Sequence, residues 1–195
     1  LGDIFAMGAE PHSAQAIVTL PYASDEILEQ RLLHLLKGAS KVFQECGVSL
    51  IGGHTSEGAE LALGFTVNGL AERQRLMTKQ GMQVGDKLIV TKPLGTGTLF
   101  ASDMRGQAHG RWIGQALQQM LLSNYQASRI LADQGVDACT DITGFGILGH
   151  LYEMLSASNL SARIQLDALP VLEGADSCLR AGLFSSLQPQ NRKFS

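Results

Sequence analysis

Ala138-Cys139-Thr140-Asp141-Ile142-Thr143-Gly144-Phe145-Gly146-Ile147-Leu148-Gly149-His150 is the stretch on which the fold turns. It sets a G-x-G-x-x-G pattern between residues 136–140, which read as a strand, and residues 146–156, which read as a helix; a further strand, 162–166, ends at Asp167. Taken alone this is the outline of a dinucleotide-binding crossover with its ribose-binding acid. The residues before the first glycine argue against it. A dinucleotide-binding strand runs apolar up to that glycine, whereas Thr140, Asp141 and Thr143 put polar groups there. A carboxylate so close repels a pyrophosphate seated on the helix N-terminus unless a cation lies between. The competing reading has Asp141 supplying oxygen to a Mg²⁺ that carries nucleotide phosphates. A plainer one makes Asp141 and Thr143 ordinary helix caps.

Around this stretch helices and strands alternate. Residues 111–134 read as one long helix stopped by Gly135, and residues 172–180 as a helix closed by Gly182. Residues 87–91 read as a strand entering the tight turn Lys92-Pro93-Leu94-Gly95-Thr96-Gly97. The polar, turn-rich Gly81-Met82-Gln83-Val84-Gly85-Asp86 marks a boundary, giving an expected first domain at 1–83 and a second at 84–195. In the first, residues 3–7 end a helix at Gly8, and residues 16–20 form a strand closed by Pro21. From Ser24 as N-cap, Ile27, Leu28, Leu32, Leu35, Leu36, Val42 and Phe43 repeat at helical spacing up to Gly47. Residues 48–51 form a short strand, and Leu61, Leu63, Phe65 and Val67 alternate as a half-buried one. Such alternation predicts a layered α/β, two-domain chain.

Composition narrows the function. The 195 residues are 45% hydrophobic and 17% charged, enough apolar surface to build a core and too little charge for disorder. A net charge of −3, from 15 basic and 18 acidic residues without a basic stripe, excludes the usual nucleic-acid footprint. No apolar run approaches a bilayer span, so the expectation is a cytoplasmic protein without membrane contact. Cys46, Cys139 and Cys178 form no C-x-x-C pair and are expected to be reduced core thiols. Both ends read as cut, which predicts a piece of a longer protein.

Other candidate residues carry less weight by themselves. Gly52-Gly53, ahead of His54 and Thr55, lets backbone approach a ligand and present N–H groups to phosphate, or simply forms a tight turn. Asp3 reads as a solvent-facing helix residue or cap. Lys92 could meet phosphate but reads more plainly as solvated. No G-x-x-x-x-G-K-[ST] occurs, so any ATP use proceeds without a Walker-type loop.

Together, Asp3-Ile4-Phe5-Ala6-Met7-Gly8, Gly52-Gly53-His54-Thr55, Thr91-Lys92-Pro93-Leu94-Gly95-Thr96-Gly97 and the Thr140–His150 stretch resemble, in kind and order, the motifs of the selenophosphate synthetases (selenide, water dikinases). These belong to a superfamily that includes aminoimidazole ribonucleotide synthetase, a hydrogenase maturation factor and thiamine-monophosphate kinase. The glycine pair of those relatives typically continues with an acidic residue, where this chain has His54. The resemblance implies an N-terminal domain that contributes to a dimeric β-barrel flanked by helices, then a mixed α/β domain, with ATP bound between them. It implies conversion of ATP, selenide and water into selenophosphate, AMP and orthophosphate by a homodimer that uses Mg²⁺. By position, Asp3 and Asp141 match metal-binding aspartates, and Asp3, Gly53, His54 and Thr55 match residues touching the nucleotide. The family's nucleophilic cysteine or selenocysteine falls before Leu1, so no catalytic nucleophile is assigned and the chain alone is expected to be inactive. Alternatives are a catalytically silent paralogue acting as a binding or regulatory protein, and another ATP-dependent enzyme of the superfamily.

Overall fold

A computed structural model of the chain describes residues 1–194; Ser195, where the expected second domain ends, lies outside the described residues. The fold is mixed α and β, and it divides into two compact units, one of residues 3–76 and one from Met77 onward.

The first unit opens with helix α1 (Gly2–Ala6), which buries Phe5. Strand β1 (Glu10–Pro21) follows, then helix α2 (Asp25–Glu45), and strands β2 (Ser49–Gly58) and β3 (Ala62–Leu70). The sheet order is β2-β1-β3, with β1 parallel to β2 and antiparallel to β3. The α2 stripe forms as its periodicity predicts: Leu28, Leu32, Leu35 and Leu36 pack on Ala16, Val18 and Leu20 of β1. These leucines are half-buried, so each contributes less than the roughly 1.5–3 kcal/mol of a fully buried one. Phe43 closes the same layer edge-to-face on Phe65, with ring centroids 5.4 Å apart. Ser24 sits at the N-cap and the chain leaves α2 through Gly47 at φ 68°, both where the sequence puts them. One expectation is corrected: the strand expected at 48–51 extends through the glycine pair to Gly58. One copy of the chain supplies three strands as an open sheet.

The second unit contains α3 (Thr96–Asp103), α4 (Gly110–Leu121), α5 (Tyr125–Asp133), α6 (Gly146–Ser158), α7 (Ala175–Arg180) and α8 (Gln188–Asn191). Leu99, Ala116, Leu172, Ala175 and Cys178 form its core, flanked by Phe100, Trp112, Ile113 and Leu183. The single helix expected at 111–134 is two helices. Lys92 Nζ donates to the carbonyls of Gln119 and Leu122 at the end of α4, while Ser123 Oγ accepts the Tyr125 N–H at 3.1 Å. Side chains that satisfy backbone groups compete with helix continuation, and here they win. Lys92 is therefore a helix C-cap, partly buried, with its pKa lowered by that burial. The strands expected at 87–91, 136–140 and 162–166 form no ladder among the described residues. Two single parallel bridges stand instead, Thr78 with Ala138 and Leu94 with Val171. An alternating run becomes a strand only against a partner; without one, Leu88 and Ile89 stay exposed.

Candidate functional site

The first unit's candidate residues lie on different parts of its sheet. Gly53, His54 and Thr55 pair with Ala16, Ile17 and Val18 of the central strand. Register puts His54 with Ile17 on the face turned away from α2, the face on which Thr19 and Ser56 hydroxyls meet at 3.1 Å. Gly53 has φ 155°, and a Cβ built there would stand 2.0 Å from the Ala16 carbonyl oxygen, so only glycine lets β2 come this close. Asp3 is exposed in the first turn of α1. The neighbouring Ile4 side chain lies against Gly69 of β3, across β1 from the strand that carries His54.

In the second unit the decisive loop runs from Cys139 to the start of α6. It is preceded by one bridge to Thr78 and not by a strand of a parallel sheet, so the crossover that a dinucleotide fingerprint requires is missing among the described residues. Its glycines have other reasons. Gly144 leaves room for Leu187, whose Cδ1 would lie 2.5 Å from an added Cβ, and Gly146 enters α6 at φ 67°.

The loop is pinned at consecutive residues. Thr143 N–H donates to His150 Nε2 at 3.1 Å, and the Gly144 carbonyl accepts from Asn191 Nδ2 at 3.0 Å. His150 is 7% exposed on α6, and the Phe145 ring lies 6.0 Å from its own. His150 Nδ1 faces Glu153 Oε2 at 4.0 Å, and Glu153 is bound to Lys79 Nζ at 2.5 Å. Hydrogen bonding to Lys79 and its charge hold the Glu153 carboxyl below the usual carboxylate range.

Among the described residues, the buried side-chain oxygen and nitrogen atoms without a hydrogen-bond partner are Thr140 Oγ1, His150 Nδ1 and Asn191 Oδ1. All three belong to this loop or to residues bonded to it. Buried polar atoms are nearly always satisfied by protein or ordered water, so this loop carries hydrogen-bonding capacity that its own side chains leave unused. Asp141 sits half-buried within it. Burial pushes the Cys139 thiol up, and the Asp141 carboxylate adds to the rise. Among the described residues no three His, Cys, Asp or Glu side chains converge as a metal cage. Mg²⁺ is commonly held by one or two carboxylates together with substrate phosphates and water, so Asp141 beside an unpartnered Thr140 hydroxyl fits that ion.

Two family profiles match the chain: AIR synthase related protein, N-terminal domain, over residues 1–71, and AIR synthase related protein, C-terminal domain, over residues 83–186. The chain belongs to the AIR synthase-related family. The expected resemblance to selenophosphate synthetases also holds. The chain is 35% identical over 194 residues to a selenide, water dikinase of Caldanaerobacter subterraneus, covering 100% of this chain and 55% of that one. It is 40% identical over 186 residues to the selenide, water dikinase of Pelobacter propionicus, covering 93% and 53%. It thus spans about half the length of these relatives. Two solved structures share the fold. Thiamine-monophosphate kinase from Stenotrophomonas maltophilia superposes at TM-score 0.76 with 23% identity, over 99% of this chain and 60% of that one. Hydrogenase maturation protein HypE in complex with ATP superposes at 0.73 with 19% identity, over 94% and 55%.

In this AIR synthase-related chain, His150 and Asn191 are site residues to which sequence reasoning gave no role, and Thr140 entered it only as a polar group ahead of the first glycine. His150 closes the glycine-rich stretch and was visible only as a motif letter. Nothing in the sequence ties Asn191 to Gly144, 47 residues away.

Proposed function

We propose that this chain is the ATP- and metal-handling part of a selenide, water dikinase, the enzyme that makes selenophosphate, AMP and orthophosphate from selenide, ATP and water. The observation that carries the reading is the Thr140–Gly146 loop, where a half-buried carboxylate stands among unpartnered polar atoms ahead of a helix. The match of the whole chain to selenide, water dikinases supports the substrate assignment. Asp141 and Asp3 are the proposed Mg²⁺ ligands; Asp3, Gly53, His54 and Thr55 are the proposed nucleotide contacts. Bound Mg²⁺ supplies neutralisation of the charge on the transferring phosphoryl group. The protein's part is to orient Asp141 and to offer backbone and side-chain donors along β2. Burial holds the Cys139 thiol above its ordinary pKa, which disfavours the reactive thiolate.

We further propose that two copies associate through the sheet face bearing Ile17, and that the protein works in the cytoplasm, where Cys46, Cys139 and Cys178 remain free. Among the described residues no helix is long and apolar enough to cross a membrane.

Calorimetric titration of the purified chain with Mg-ATP and with NADH, followed by chromatography for AMP after selenide addition, tests the reading. The expected outcome is heat with Mg-ATP, none with NADH, and no steady AMP formation from this chain alone. NADH binding without an ATP response overturns the nucleotide assignment; steady AMP formation overturns the inactivity.

A further inference from the structure

A backbone N–H has no lone pair and can only donate, so the 3.1 Å contact from Thr143 N–H makes His150 Nε2 an acceptor that carries no proton. The Thr143 hydroxyl stands 3.2 Å from the same nitrogen and shares it. A neutral imidazole in this place keeps its single proton on Nδ1. That atom is buried, has no hydrogen-bond partner, and faces the Glu153 carboxylate at 4.0 Å, which is itself held by Lys79. An imidazolium would set a second ring N–H against the Thr143 N–H, and the Nε2–H tautomer would do the same.

We propose that His150 is a positioning residue. Held as the Nδ1–H tautomer by the Thr143 amide, with Nδ1 turned toward the Glu153–Lys79 pair, it fixes the Asp141-bearing loop through that amide. Its bearing on phosphoryl transfer rests on the assignment of Asp141 given above. Three observations support the role. The loop's next residues are Gly144 and Gly146, which leave it conformationally free unless something outside it holds it. The holding bonds fall at Thr143 and Gly144, directly after Asp141 and Ile142. And the imidazole lies among the buried residues of α6, with Gly149, Leu151 and Met154. A leucine would fill such a space without the cost of an unpaired ring nitrogen.

Nuclear magnetic resonance of the 195-residue chain labelled with ¹⁵N decides the matter. Long-range correlation of the ring protons with both ring nitrogens reads the tautomer, and a nitrogen–nitrogen coupling across the hydrogen bond reads the Thr143–His150 contact. The expected result is a proton on Nδ1 and a resolved coupling. In His150→Ala the Thr143 amide should exchange roughly fivefold to tenfold faster, the loss of one net hydrogen bond. In His150→Gln, whose Oε1 reaches the region of Nε2, exchange should stay within about twofold of the parent. A ring carrying its proton on Nε2, a missing coupling, or unchanged loop exchange in His150→Ala overturns the proposal. The first two readings use the unaltered chain, so they hold even if a variant fails to fold. None needs metal or nucleotide, so failure here is separate from failure to bind Mg-ATP.

Discussion

The Cβ that Gly53 lacks would lie 2.0 Å from the carbonyl oxygen of Ala16, its parallel partner in β1. Backbone blocks that position on one side and a φ of 155° disfavours any other residue. Gly53→Ala must therefore push β2 off β1 as well as strain its own backbone. The expected loss is on the order of 3 kcal/mol, combining overpacking with backbone strain. Urea unfolding checks it; an unchanged midpoint would show that β2 yields at no cost. Gly64, where an added Cβ would meet nothing within 4 Å, is the control that should tolerate alanine far better.

The same strands bear on association. Ile17 is 56% exposed on the sheet face away from α2, flanked through register by His54 and Gly64. If a second copy covers this face, Ile17→Lys should weaken the dimer by at least about tenfold, because an ammonium replaces a buried side chain. Analytical ultracentrifugation across a concentration series reads this directly. Equal association of parent and variant would place the interface elsewhere.

Much of the first unit was legible because its periodicity is local: the α2 stripe, Ser24 and Gly47 follow from neighbours a few residues apart. The glycine pair misled, since glycine reads as a turn, whereas here Gly53 serves a close approach between strands. In the second unit alternation predicted strands that find no partner among the described residues, and the helix break was hidden because Lys92 acts on carbonyls 27 and 30 residues away. The site divides the same way. The polar residues ahead of a helix put Asp141 forward as a candidate; the unmet hydrogen-bond demand of Thr140, His150 and Asn191 depends on tertiary placement that no spacing encodes.

Glu153 gives a pH signature. Its carboxyl is held below the usual range by Lys79, so its stabilising contribution is fully present above the unfolded carboxylate value. It is lost as pH falls through the lower, folded value. Comparison with Glu153→Gln should therefore show a stability difference at neutral pH that closes in acid. Both side chains are about half exposed, 50% and 49%, so added salt should shrink the difference as well. A difference that grows toward low pH contradicts the assignment.

Cys139 and Asp141 offer a chemical readout of the loop itself. Burial first, and then the carboxylate two residues on, disfavour the Cys139 thiolate. Thiolate is the reactive form, so labelling by a thiol reagent near pH 8 should be at least about tenfold slower at Cys139 in the folded chain than in denaturant. Asp141→Asn removes one of the two causes and leaves burial in place. Labelling of Cys139 should then quicken modestly while that of Cys178, buried in the helical core, should not change. Peptide mass mapping separates the sites. If Asp141→Asn accelerates both cysteines alike, the substitution has loosened the whole unit and no local charge effect is being read. If it accelerates neither, the Asp141 carboxylate does not influence Cys139 in solution, and its position in the loop differs from the one described.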